Sequence, residues 1–501
     1  MEKVVKDQLR ELGKFIEQQP CMALSKLQAS LRQGIFTDTD MWLVYQLYSV
    51  YYFWTRDWEH WKAAVWKSLN AVKGLQREQQ EEMLSNYLFN LHYLPDLSDE
   101  ELRETSFLYD RFAQTAVQFR HSLIRHQHAK LRIGYIMNEM GHGVLSLFYM
   151  QLLTGYDRSS FEVYVYVLND ECQDAVLGQV RQNVKVVRLF EEGKNLHDIA
   201  QIIYDDEIDI MFDLEVHASG GHTLRVLCYK PAPVQISGIG YMSTSGTKAI
   251  DYFLGDRYLD PPGLHDEDFA EQIIRLPYSH FCYTPSVRVL QVHRKWEPHE
   301  QVVFASFNNF TKITDEMIGA WAEILRRVPG SRLLVKNTSR RAYQLNDMRR
   351  RLLRAGIPEE RLTVEGASRD YFDRYTDIDI VLDTYPYTGG GTTCDALYMG
   401  IPVVSRYGRR HGSRFGYSLL MNLGLGELAA PDLRGYIERA VAVAQDRELL
   451  TALHERLPQM MRTSPIMNAS LYLSEVEHAY RQVFAAWRQR AEREERTGHN
   501  G

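Results

Sequence analysis

From the first residues to about residue 125, apolar side chains recur at three- and four-residue spacing and glycine is scarce, a pattern that predicts helices. At Leu131 the pattern changes to short β-rich runs alternating with helical stretches. Leu131–Ile136, Phe161–Val167, Val184–Val187, Ile208–Phe212, Val234–Ile236 and Ile250–Phe253 form one series of predicted strands. A polar stretch near 286–300 separates it from a second series: Val302–Ala305, Arg332–Val335, Arg361–Val364, Ile378–Leu382 and Val403–Val404. Strands alternating with helices make a mostly parallel sheet. Two such series predict two doubly wound domains facing a cleft, so the fold class is α/β with an N-terminal all-α region. The expected limits are 1–125 for the helical region, 131–285 and 300–467 for the two Rossmann-like domains, and 468–490 for a last helix. Asn468 or Ser470 would cap that helix, and Leu473, Val476, Tyr480, Val483 and Trp487 would dock it on a sheet. The charged tail from Arg488 is expected to fray.

Composition narrows the function. The 501 residues carry a formal net charge of −7, which argues against general nucleic-acid binding. Cys21, Cys172, Cys228, Cys282 and Cys394 are scattered without a Cys-x-x-Cys pair, so neither a disulfide framework nor a zinc site is expected. No apolar run is long enough to span a membrane and the first residues lack a signal-peptide core, so a cytoplasmic protein is expected. Trp42, Trp54, Trp58, Trp61 and Trp66 crowd the helical region. Helix–helix packing is the expected reason, with a peptide groove the lesser alternative. Helix-pair repeats are conceivable there, but no clean self-similarity marks them.

The candidate chemistry sits where predicted strands end. Thr388-Gly-Gly-Gly-Thr-Thr-Cys-Asp395 joins the strand ending at Leu382 to a helix closed by Gly400. Glycines let backbone approach a ligand, and a helix N-terminus offers unpaired amides to a phosphate. Lys312 and Lys336 follow strands of the second series and are placed to meet a diphosphate. His142, His217 and His222 follow strands of the first series, where imidazole supplies acid–base chemistry near neutral pH. The loop Gly240–Gly246 adds small residues and hydroxyls on that side. Asp377 and Asp379 are an Asp-x-Asp pair, but they lead into a strand rather than ending one, so a metal role is rejected. The arginine-rich segment 340–361 reads as a solvated amphipathic helix.

Taken in order, these motifs resemble the O-GlcNAc transferase/SPINDLY family of protein glycosyltransferases, of the bacterial type. The resemblance runs from about Asn86 to Glu427. It rests on Asn86–Ser98, on Leu131–Tyr135 with His142, and on Pro231–Gln235 with Gly240-Tyr241 and Thr244–Gly246. The second half adds Phe304–Asn309 with Lys312, Leu382–Gly390, Thr392–Leu397 and Arg410–Gly416.

The resemblance implies a GT-B fold and inverting, metal-independent transfer of a sugar from a UDP-sugar, chiefly UDP-GlcNAc, to Ser or Thr of a protein acceptor. It implies no cofactor beyond that donor and no metal. Lys312 would contact the diphosphate, with Asn309, Gly390, Gly391, Thr392 and Thr393 around the phosphates and Asp395 on the ribose. His142 would stand at the acceptor side. His217 matches the histidine of a family Gly-His-Thr segment, with His222-Thr223 as the alternative match; the general base stays open. Phe372 stands near the position of a base-stacking histidine in the family. A nucleotide-sugar epimerase and a non-catalytic partner subunit are the rival readings.

Overall fold

The computed structural model describes residues 11–12, 19–33, 36–38, 40–71, 76–141, 143–169, 175–191, 193–292, 296–339 and 341–498. Among these, everything before residue 131 is helical or loop, with helices Pro20–Arg32, Met41–Thr55, Trp58–Leu69, Arg77–Leu91, Asp99–Phe107 and Asp110–Thr115. Polar caps set several starts: Asp57 accepts from His60 N at 3.3 Å and Ser98 from Glu101 N at 3.0 Å. Two cores divide the helices. Ala23, Leu27, Val44 and Leu47 form a small separate cluster, whereas Trp61, Leu84, Tyr87 and Leu88 join the core of the rest of the molecule. The tryptophans pack between helices, with Trp61 edge-on to Trp58 at 6.2 Å and against Tyr87 at 5.0 Å.

The first sheet holds β1 (Leu131–Met137), β2 (Phe161–Val167), β3 (Val186–Leu189), β4 (Ile210–Asp213), β5 (Val234–Gly238), β6 (Tyr252–Asp256) and β7 (Gln272–Leu276) in the order β3-β2-β1-β4-β5-β6-β7. The second holds β8 (Val303–Ser306), β9 (Arg332–Lys336), β10 (Leu362–Glu365), β11 (Ile380–Leu382), β12 (Val403–Arg406) and β13 (Ala429–Ala430), in the order β10-β9-β8-β11-β12-β13. All their pairings are parallel, with registers such as Tyr135↔Phe212 and Ala305↔Val381. Helices cover both faces, so the strands are apolar along their length rather than alternating. This is the two-domain GT-B arrangement. The order reverses between β1 and β4 and again between β8 and β11, and crevices for ligands open at such points beyond the carboxyl ends.

The last helix, Ala469–Gly498, starts where expected: Asn468 Oδ1 accepts from Leu471 N at 3.0 Å. It returns from the second domain to the first, where Leu473, Val476, Tyr480 and Val483 are buried and Tyr480 OH meets Tyr135 OH at 3.0 Å. It continues through the charged tail to Gly498. No described helix is long and apolar enough to cross a membrane.

Candidate functional site

The second domain's crevice is built by two loops. After β8 the chain passes Phe307 and Asn308, and Asn309 caps a short turn, Phe310–Lys312, by accepting from Thr311 N at 3.0 Å. After β11 comes Asp383, fully buried. Its Oδ1 accepts from the amides of Thr384 and Gly389, each at 2.8 Å, and its Oδ2 from Ser405 Oγ at 2.7 Å. Asp383 therefore holds the glycine turn in place. A Cβ on Gly389 would stand 2.5 Å from Thr393 Oγ1 and 2.9 Å from Thr392 Oγ1, so a side chain there would displace the threonines that open the helix.

Lys312 reaches across from the first loop to the second. Its Nζ donates to Thr388 O at 3.1 Å and lies 3.5 Å from the centre of the Tyr387 ring. Burial lowers its pKa to about 8, opposed by the nearby Asp383 carboxylate. The helix Gly391–Tyr398 starts here, and its first ladder bond runs from Cys394 N to Gly390 O at 3.0 Å. The amides of Gly391, Thr392 and Thr393 precede that bond and point out of the helix end. Thr392 Oγ1 donates to Asn308 Oδ1 at 3.1 Å, tying the two loops together. One ammonium, three amides and a hydroxyl thus converge at one helix N-terminus, a suitable seat for a diphosphate.

Asp395 lies one turn into the helix and accepts from Tyr283 OH at 2.6 Å. Burial pushes its pKa up to about 7, with the Tyr283 bond opposing. The first domain closes directly on the turn: a Cβ at Gly391 would meet Val144 Cγ1 at 2.6 Å and one at Gly390 would meet Phe281 at 3.5 Å. Asp383, Asn308, Tyr387, Phe281 and Tyr283 had no assigned role in the sequence reading. Asn308, Asp383 and Tyr387 lay within the motifs Phe304–Asn309 and Leu382–Gly390, and Asp383 is also a carboxylate directly at the end of a buried strand.

Other expected residues fall elsewhere. Asn309 is exposed and borders a cavity of about 400 Å³ beside Trp54, Trp61, Asn86, Asn90 and Tyr93. This cavity lies between the helical region and the second domain. Arg56 Nη2 also bridges these two parts by donating to Phe310 O at 2.9 Å. Lys336 is fully engaged, with Glu365, Gly366 O and Ser368 all within 3.1 Å of its Nζ. Phe372 stacks on Tyr375 within an aromatic cluster that includes Phe307 and Tyr371. Asp379 is taken by Trp296 Nε1, His299 Nδ1 and Val303 N, and Asp377 by Arg374.

On the first domain's side, His142 lies outside the described residues. His217, expected among the acid–base histidines that follow the first sheet's strands, is not open to the cleft. It is fully buried between Tyr109 and Tyr241, its Nε2–H donating to Ser245 O and its Nδ1 accepting from Ser85 Oγ–H, both at 3.0 Å. Burial lowers its pKa to about 3, so the ring is neutral. The helix Arg77–Leu91, which supplies Ser85, covers it. His222 instead lies at the switch point, half-buried, with Nδ1 3.0 Å from Asn138 Oδ1 at the end of β1.

Known proteins resemble this chain along most of its length. The model of glycosyl transferase family 41 matches residues 110–284 and 283–476. The chain is 32% identical over 414 residues to a probable UDP-N-acetylglucosamine–peptide N-acetylglucosaminyltransferase, SPINDLY, of Petunia hybrida, covering 80% of this chain and 44% of that one. It is 27% identical to the SEC protein of Arabidopsis thaliana, covering 72% and 37% of the two chains. This chain thus spans less than half the length of these curated relatives. A solved mutant O-GlcNAc transferase of Thermobaculum terrenum superposes with a TM-score of 0.84 at 26% identity, over 98% of this chain and 93% of that one.

Proposed function

Because this chain belongs to glycosyl transferase family 41, we propose that it is a UDP-sugar-dependent protein O-glycosyltransferase that moves N-acetylglucosamine to Ser or Thr hydroxyls. The observation that carries this reading is the convergence of Lys312, Thr392 and the amides at Gly391 on one crevice, directly under the first domain. In this reading the donor's diphosphate lies on that helix end. As the bond from sugar to UDP breaks, negative charge grows on the departing phosphate, and the Lys312 ammonium and the amides stabilise it. No metal is needed for that step. Asp395, held by Tyr283, serves the ribose.

The acceptor hydroxyl attacks the anomeric carbon from the side opposite UDP, so configuration inverts. Its proton leaves to His142 or to the donor phosphate. The cavity bordered by Asn309, with its aromatic rings and the Asn86 and Asn90 amides, supports entry of an extended polypeptide from the helical side. Rings take apolar side chains and amides pair with backbone.

The test is incubation with UDP-GlcNAc and a protein mixture in EDTA, read by mass spectrometry. One N-acetylhexosamine on Ser or Thr with release of UDP is expected, at the rate seen with Mg²⁺. Interconversion of the free nucleotide-sugar without an acceptor would replace this reading with an epimerase. Binding of UDP-GlcNAc with neither transfer nor turnover would leave a non-catalytic subunit.

A further inference from the structure

A second cluster of chemically capable side chains lies at the opposite edge of the first sheet. His128 and Asp209 stand just before β1 and β4, and His126 ends the short turn Leu123–His126. Because β1 and β4 are parallel, these residues mark the amino ends of the strands, away from the cleft. His126 and Asp209 are buried and His128 is largely enclosed. His126 Nδ1 lies 2.9 Å from Asp209 Oδ1, while His128 Nε2 lies 3.8 Å from that oxygen and 3.1 Å from Glu207 O. Ligand atoms of all three side chains lie within 4.8 Å of one another.

A hydrogen-bond chain holds them from behind. The Lys230 carbonyl can only accept, so His121 Nε2, 2.9 Å away, carries a hydrogen. His121 Nδ1 meets His126 Nε2 at 3.2 Å, which leaves His126 Nδ1 turned to the Asp209 carboxylate oxygen at 2.9 Å. The second imidazole, His128, stands beside that same buried oxygen, and two imidazoles with one carboxylate are a donor set that suits a metal ion.

We propose that His126 Nδ1, His128 Nε2 and Asp209 Oδ1 bind one divalent ion of the zinc class, with the Glu207 carbonyl as fourth donor. Donors about 2.0–2.1 Å from a tetrahedral zinc stand roughly 3.3 Å apart. Three of the six donor separations, at 2.9, 3.1 and 3.8 Å, bracket that value. Binding shifts the His128 hydrogen from Nε2 to Nδ1 and frees the Glu207 carbonyl to face the ion. His121 holds the His126 ring at its far nitrogen, and Arg132 N, donating to Asp209 Oδ2 at 2.8 Å, orients the carboxylate. The ion ties the starts of β1 and β4 to the connector from the helical region. That connector also meets the last helix, where the His126 and Trp487 rings are 5.3 Å apart. Its role is structural and separate from sugar transfer.

Tag-free protein is stripped with a chelator, dialysed and titrated with Zn²⁺ and with Co²⁺. One tight equivalent, tetrahedral Co²⁺ absorption and a higher melting temperature are expected. His128→Ala and His128→Gln should each weaken Zn²⁺ binding at least tenfold while UDP affinity is unchanged. Wild-type protein that takes up no saturating equivalent overturns the proposal. So does equal Zn²⁺ affinity in wild type and both variants.

Discussion

The two sheets have the same order reversal, yet their switch points are furnished in opposite ways. At the second, polar groups remain available: Lys312 has one carbonyl partner, and the amides at Gly391 face the crevice. At the first, the polar groups directly after β4 are enclosed. Asp213 holds the amides of Glu215 and Val216 at 2.9 Å each, and His217 is bonded through both nitrogens. Burial raises the Asp213 carboxyl to about 6, and burial with Asp213 beside it raises Glu215 to about 7. Val216 and Ser219 are forced to φ of 53° and 51°, a costly region for a β-branched residue. Polar residues after a strand therefore have two uses. Those left facing a crevice are placed to meet a ligand, and those roofed by another element build the scaffold.

Lys312→Met tests this contrast most strongly. Turnover at saturating donor should fall about hundredfold, ~2.7 kcal/mol of barrier. A near-normal rate would mean that the second switch point is scaffold too. His217→Ala should cost ~2 kcal/mol of stability, by loss of two buried hydrogen bonds and a ring, without changing UDP affinity. Unchanged melting temperature with abolished transfer would return His217 to the catalytic role expected from sequence. Gly391→Val adds a side chain between the helix end and Val144, and UDP affinity measured by calorimetry should drop about tenfold, ~1.4 kcal/mol.

The smallest effect is in pH. The Lys312 pKa is lowered from 10.5 to about 8, so the ammonium is present at neutral pH and lost as pH rises through that value. The kcat/KM for donor should therefore decline above about pH 8, and Lys312→Arg, which stays charged, should lack that limb. An identical limb in the arginine variant would assign it to another group.

The two-domain plan was legible because strands buried on both faces are continuous apolar runs, and the central strands lie within two or three residues of their expected limits. Gln272–Leu276 and Ala429–Ala430 were missed. Both are edge strands, one largely half-exposed with Gln272 and Arg275 in it and the other only two residues long, so neither shows a long buried run. Lys312, the glycine turn and Thr392 were legible as a set because each follows a central strand of one series. The metal-ligating type of His126, His128 and Asp209 was not, because 81 residues separate Asp209 from His128 and only the pairing of β1 with β4 joins them.

Local pattern by itself determined the helical start, two parallel sheets, the capped last helix and a phosphate-suited turn, since each depends on neighbours in sequence. Tertiary structure alone decided which polar groups stay open. His217 follows its strand as Lys312 and the glycine turn follow theirs, but Ser85, 132 residues earlier, and the helix that bears it seal it from the cleft. Asp383 likewise takes its role from Gly389 and Ser405, which chain folding brings to its two oxygens. Burial and hydrogen-bond partners come from distant segments, and these set whether a titratable side chain acts on a ligand or holds the fold.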